Sequence, residues 1–165
     1  MPDAVKLLKD DHRKMEDLFA DFEKAKGEGR KKKLAEKICA ELIVHARIEE
    51  EIFYPACEGK VEEDLLKESF VEHDAAKVLI AEIEAGEPSD DFFDSKVKVL
   101  QEQTEHHVKE EEARLDGIFA QAKKAGLDMD ALGEELAARK SELKAEIDEK
   151  GLPKPRLTTM DDVKL

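Results

Sequence analysis

Tryptophan is absent, tyrosine occurs once, and only two cysteines stand among the 165 residues. Cys39 and Cys57 are too few for a disulfide framework and are not spaced as a CxxC pair. Cys39 falls in an apolar pattern and reads as a small core residue. No stretch approaches the ~20 apolar residues of a membrane span. The opening MPDAVKLLKDDH has no apolar run of signal-peptide length, so the expected compartment is the cytoplasm. Positive charge is also in deficit: 28 basic against 42 acidic side chains leave a formal charge of -14. Such a surface repels phosphate backbones and anionic lipid, so neither nucleic acid nor a membrane is an expected partner. Period-two alternation never persists beyond a few residues, which argues against strands.

What is present reads as helix. Charged residues make up 42% and hydrophobic ones 41%, in a mixture rich in Ala, Glu, Lys and Leu. The length favours one domain with one substantial core. Asp3 can cap a first helix that stops at Gly27 and Gly29. A second runs from about Arg30 to Tyr54, ended by Pro55, and a third from about Val61 to Ala85, ended by Gly86 and Pro88. Ser89 or Asp90 can cap a fourth that reaches Ala125, before Gly126. Asp128 or Asp130 opens a fifth, shorter helix that ends near Lys150 and Gly151. The remaining LPKPRLTTMDDVKL has two prolines and no period, and reads as an extended tail. These segments predict an all-α fold: an up-down antiparallel four-helix bundle over residues 1–125, with a C-terminal helix and tail over 126–165 packed on it.

Core-facing positions of a bundle step by three and four residues. In the first helix they read Val5, Leu8, His12, Met15, Phe19 and Phe22. The second gives Leu34, Ile38, Leu42, His45, Glu49 and Ile52; the third gives Leu66, Phe70, His73, Ala76, Ile80 and Ile83. The fourth gives Phe93, Val97, Leu100, Thr104, His107, Glu111, Leu115 and Ile118. Each helix thus puts one histidine on its apolar seam, and two add a glutamate one turn later. A lone seam histidine is ordinarily a hydrogen-bonded core residue. Four on four seams, two followed by buried carboxylates that cost several kcal/mol unless bound to a cation, point to a metal. The i, i+4 spacing puts His45 with Glu49, and His107 with Glu111, on one helix face. Glu50 and Glu51 compete with Glu49, as Glu110 and Glu112 compete with Glu111, and His106 lies about 100° round the helix from His107, at the rim.

Imidazole and carboxylate donors suit iron, manganese or zinc. Six ligands are many for one ion and suit two, bridged by the carboxylates. Ferritin-like bundles use Glu-x-x-His on two helices. Here the positions three before each histidine hold Lys9, Leu42, Phe70, Gln103 and Thr104, which argues against that class.

The motifs DHRKMEDLF around His12, HARIEEEIFYP from His45 to Pro55, EHD around His73, and HHVKEEEARL from His106 to Leu115 resemble the hemerythrin-like, or HHE cation-binding, family. The resemblance spans about residues 1–125. It implies a non-haem centre of two iron ions, bridged by carboxylates and an oxo or hydroxo group. Carried onto this chain, the metal ligands are His12, His45, Glu49, His73, His107 and Glu111. There are departures. Respiratory hemerythrins have a second histidine four residues on in the third helix, where this chain has Lys77. They place an aspartate where this chain has Glu112, and Gly117 stands where the first motif has Pro55. Tyr54 or another carboxylate is then a candidate for the open position. The related di-iron repair branch carries a cysteine-bearing N-terminal domain, so a repair role is not expected.

Two functions follow from the resemblance: oxygen binding for storage, delivery or sensing, or an enzyme that disposes of peroxide or nitric oxide. Lys77 favours the second and the apolar seam (Met15, Phe19, Phe70, Leu115) the first. No acid–base or nucleophile constellation stands apart from the metal ligands. The fifth helix has an apolar face at Leu132, Leu136, Leu143 and Ile147, expected to pack on the bundle rather than on a protein partner.

Overall fold

The computed structural model describes residues 3–161, so the last four tail residues lie outside the described part. Every regular element among the described residues is a helix, with no strand. Helices α1 (Ala4–Lys24), α2 (Glu28–Ile48), α4 (Glu63–Ala85) and α5 (Phe93–Glu112) form the four-helix bundle. Helix α1 packs against α2 and α5, and α4 against the same two, which closes the bundle. A short α3 (Tyr54–Cys57) extends α2, a short α6 (Ile118–Lys124) follows α5, and α7 (Met129–Lys150) lies along α1 and α2. Asp3 and Asp128 cap α1 and α7 by accepting from Lys6 N–H and Ala131 N–H. The α5 cap falls instead on Phe92, and Asp90 organises the preceding turn by accepting from Glu87 N–H at 2.8 Å. No described helix is long and apolar enough to cross a membrane.

The apolar core is divided in two. Leu8, Val44, Ile48, Phe53, Leu66 and Phe119 belong to one half, which also receives Leu136 and Leu143 of α7. Met15, Phe19, Ile38, Ile80, Phe93 and Leu100 belong to the other. The seam histidines and glutamates fall between these halves along each bundle helix, and all six are buried.

Helix α2 does not stop at Pro55. A π-helical turn over Glu49–Phe53 links it to α3, with Tyr54 N–H donating to the Glu49 carbonyl five residues back. Pro55 has no N–H to donate, so a widened turn accommodates it where a regular helix would break. The extra residue also rotates the face. The expected seam residue Ile52 is only half-buried, while Phe53 and Tyr54 point into the core.

The fourth helix does not reach Ala125. It ends at Glu112, and residues 113–117 form a tight turn before α6. Leu115, placed on the seam by periodicity, is 88% exposed on this turn. The turn lets Ile118 and Phe119 close the end of the bundle, Phe119 stacking on the His12 ring at 5.8 Å. Gly117 explains why proline is missing from the second motif. A Cβ there would lie 2.5 Å from the Ala113 carbonyl oxygen and 2.7 Å from that of Glu111. Gly117→Ala should therefore destabilise the protein by about 1–3 kcal/mol, since backbone must shift. Thermal unfolding should show Tm lower by roughly 2–4 °C per kcal/mol, and an unchanged Tm would refute the tight-turn account.

Candidate metal centre

Each bundle helix delivers its seam residues to one level: His12 from α1, His45 from α2, His73 from α4, and His107 and Glu111 from α5. Glu49 arrives from the first residue of the π-turn. The six fall into two overlapping groups. Donor atoms of His12, His45, Glu49 and Glu111 lie within 4.8 Å of one another, as do those of Glu49, His73 and His107. Glu49 is common to both and is 0% exposed, as is Glu111. His12 Nε2 lies 3.1 Å from Glu111 Oε1, and the Nε2 atoms of His45 and His73 each lie 3.2 Å from Glu49 Oε1.

Proximity here is not hydrogen bonding. His12 Nε2, His45 Nε2, both Glu49 oxygens and Glu111 Oε1 are buried without a hydrogen-bond partner. Buried polar atoms rarely stay unpaired, because each costs about 1–3 kcal/mol. Five that converge on one another, two nitrogens and three anionic oxygens, fit a cation and nothing apolar.

An outer ring of carboxylates turns the imidazoles inward. His45 Nδ1–H donates to Asp11 at 3.0 Å, His73 to Glu50 at 3.0 Å, His107 to Glu72 at 2.8 Å and His12 to Glu112 at 2.5 Å. A carboxylate only accepts, so each Nδ1 carries a hydrogen and each Nε2 is the nitrogen turned to the centre. The ring is cyclic: α1 grips the histidine of α2, α2 that of α4, α4 that of α5, and α5 that of α1. Every outer carboxylate sits next to an inner residue in sequence: Asp11 by His12, Glu50 by Glu49, Glu72 by His73, Glu112 by Glu111. One step along a helix turns about 100°, which aims the neighbour at the adjacent helix. Asp11 and Glu72 were missed by periodicity alone, and adjacency to a seam ligand was the signal.

The rival carboxylates are thereby sorted. Glu50 and Glu112 belong to the outer ring. Glu51 pairs with Arg47 and Arg139, and Glu110 pairs with His106 at 3.0 Å on the surface. His106 is at the rim, 66% exposed by side chain. Lys77 is buried but turned outward, its ammonium on Glu50, Asp74 and the Arg156 carbonyl. Tyr54 approaches instead: its hydroxyl donates to Glu111 at 2.8 Å and lies 3.1 Å from His107 Nε2 and 3.4 Å from His73 Nε2. Burial, with Glu111 and Glu49 beside it, pushes this phenol well above its usual range. Burial opposes charge on His45, yet Glu49 and Asp11 outweigh it and lift the imidazole to about 10. His107 is raised in the same way, chiefly by Glu111 against burial. The pocket thus favours positive charge. Burial raises the thiol of Cys39 and pushes that of Cys57 up to about 12, and both cysteines are free.

Beside the centre lies a cavity of about 40 Å³, lined by all four seam histidines with Met15, Leu42 and Ile80 among its walls. That is room for one or two small molecules.

Fold and site together define a helical bundle with buried His/Glu groups that could hold metal. The family profile of the Hemerythrin HHE cation binding domain matches residues 3–117, and the chain belongs to this family. A crystal structure of a hemerythrin HHE cation binding domain-containing protein from Mycobacterium kansasii superposes with a TM-score of 0.76 at 22% identity, covering 92% of this chain and 96% of that one. A DNA nickase of Nostoc sp. is 28% identical over 109 residues, 66% of this chain, and the match spans only 31% of that protein.

Because Glu49 belongs to both donor groups and His12 to one, Glu49→Gln should lower metal content more than His12→Ala does; counting metal per chain after dialysis separates the two patterns. Asp11→Asn, which leaves every inner donor in place, should weaken metal binding roughly 10–100-fold, and metal titration with unchanged affinity would remove the ring from the account.

Proposed function

We propose that this protein is a non-haem di-iron protein that binds or senses oxygen. His12, His45, Glu49 and Glu111 would hold one iron, and Glu49, His73 and His107 the other, with Tyr54 beside the second. Iron held there would supply the electrons for chemistry with a small oxidant. The chain's own residues do the rest. The outer carboxylates fix each imidazole, Glu49 joins the two positions, and Met15, Leu42 and Ile80 keep the adjoining space apolar. The observation that carries the reading is this small cavity, in contact with histidines of both groups and sized for a diatomic ligand or peroxide.

The alternative, an iron enzyme that disposes of peroxide or nitric oxide, draws on one feature. The second group has three donors against four in the first, because Lys77 faces outward. An exchangeable position there suits turnover. Nucleic acid is not a proposed partner despite the nickase relative, because a net charge of -14 repels phosphate. A cytoplasmic setting is proposed on the two free thiols.

Anaerobic protein loaded with Fe(II) should carry two irons per chain and be stabilised against heat by roughly 2.7 kcal/mol per site at a hundred-fold excess over Kd. Its optical spectrum should change on admitting oxygen and revert on removing it. A change that never reverts moves the assignment to the enzyme, and one iron or none overturns both readings.

A further inference from the structure

Residues after 117 lie outside the family match, yet two of them reach the outer ring. Lys140 of α7 donates to Asp11 Oδ1, while Asp11 Oδ2 holds His45. Thr158 of the tail donates its hydroxyl to Glu50 Oε1 at 2.7 Å, while Glu50 Oε2 holds His73 at 3.0 Å. His45 belongs to one donor group and His73 to the other. The other two ring carboxylates are backed from within the bundle: Glu112 by Arg13 and Glu72 by His106.

The tail is held firmly at this spot. Asp74, 0% exposed, accepts from the backbone N–H groups of Thr158, Thr159 and Met160 at 2.9, 2.6 and 3.1 Å, and from the Thr159 hydroxyl at 2.6 Å. Lys77 bridges the same elements, with its ammonium 3.1 Å from Glu50 Oε1 and 3.0 Å from the Arg156 carbonyl. The lysine in place of a second histidine thus ties the tail to a ring carboxylate.

We propose that the C-terminal extension is a working part of the metal centre, with Lys140 and Thr158 as positioning residues that act through Asp11 and Glu50 on one histidine at each cation position. A carboxylate with one oxygen on an imidazole and the other loosely held can swing; Lys140 on Asp11, and the shorter Thr158 contact beside that of Lys77 on Glu50, fix its plane and hence the ring it holds. A mere staple would need only the Asp74 contacts, which do not touch the ring. This inference rests on the two-cation reading above.

The test uses the full chain with Lys140→Met, Thr158→Val and Thr158→Ser, titrated with cobalt(II) and followed by absorption and by NMR of the imidazole N–H protons. Thr158→Val keeps the backbone donors to Asp74, so the tail stays docked. Each of the first two variants should weaken one of the two cobalt positions about three- to ten-fold, less than losing a ring carboxylate outright. Lys140→Met should shift the His45 N–H signal and speed its exchange, Thr158→Val should do so for His73, and Thr158→Ser should restore the wild-type signal. Wild-type affinities and N–H signals in the variants, even with a lower Tm, would reduce the extension to a staple and overturn the inference. Wild-type protein that takes up no cobalt would instead sink the two-cation reading, and this inference with it.

Discussion

Two fully buried carboxylates, Glu49 and Glu111, set the terms for the rest of this molecule. In an apolar core each would cost several kcal/mol if left uncompensated. The fold compensates them with imidazole. Four histidines, one per bundle helix, face the two glutamates, and four further carboxylates stand behind the histidines. The resulting polar layer separates the core into two apolar halves. Those halves contribute most of the favourable burial, and the layer determines the register in which they meet.

The cyclic grip of each helix on the histidine of the next follows from the same constraint. Helices that present only leucine and valine could slide or rotate at modest cost. Here a shift of one helix would strand a carboxylate on one side and a histidine on the other. Specificity of this kind is a recognised use of buried polar groups. The bundle ends are shaped to serve the layer: the π-turn brings Glu49, Phe53 and Tyr54 to the interior together, and the turn at Gly117 lets Phe119 cover His12.

The two donor groups are not equivalent. One group has two histidines and two glutamates; the other has two histidines, the shared Glu49, and a tyrosine hydroxyl nearby. Lys77, where a further histidine is expected by resemblance, works outward on the tail.

Helix content, the four seams and the four seam histidines were legible in the sequence, because the 3.6-residue period is a local property of the chain. A histidine that interrupts an apolar seam is visible wherever its neighbours fall. The i, i+4 rule narrowed each glutamate to a run of three neighbours. What periodicity cannot register is a place where the helix itself changes. It carried the seam through Ile52 and Leu115, but the π-turn half-exposes the first and the turn at Gly117 exposes the second. Only the tertiary structure decided which of three adjacent glutamates faces inward, that Asp11 and Glu72 serve histidines on other helices, and that the tail reaches Glu50. Those pairings depend on the relative height and rotation of neighbouring helices, which packing sets and no single segment encodes.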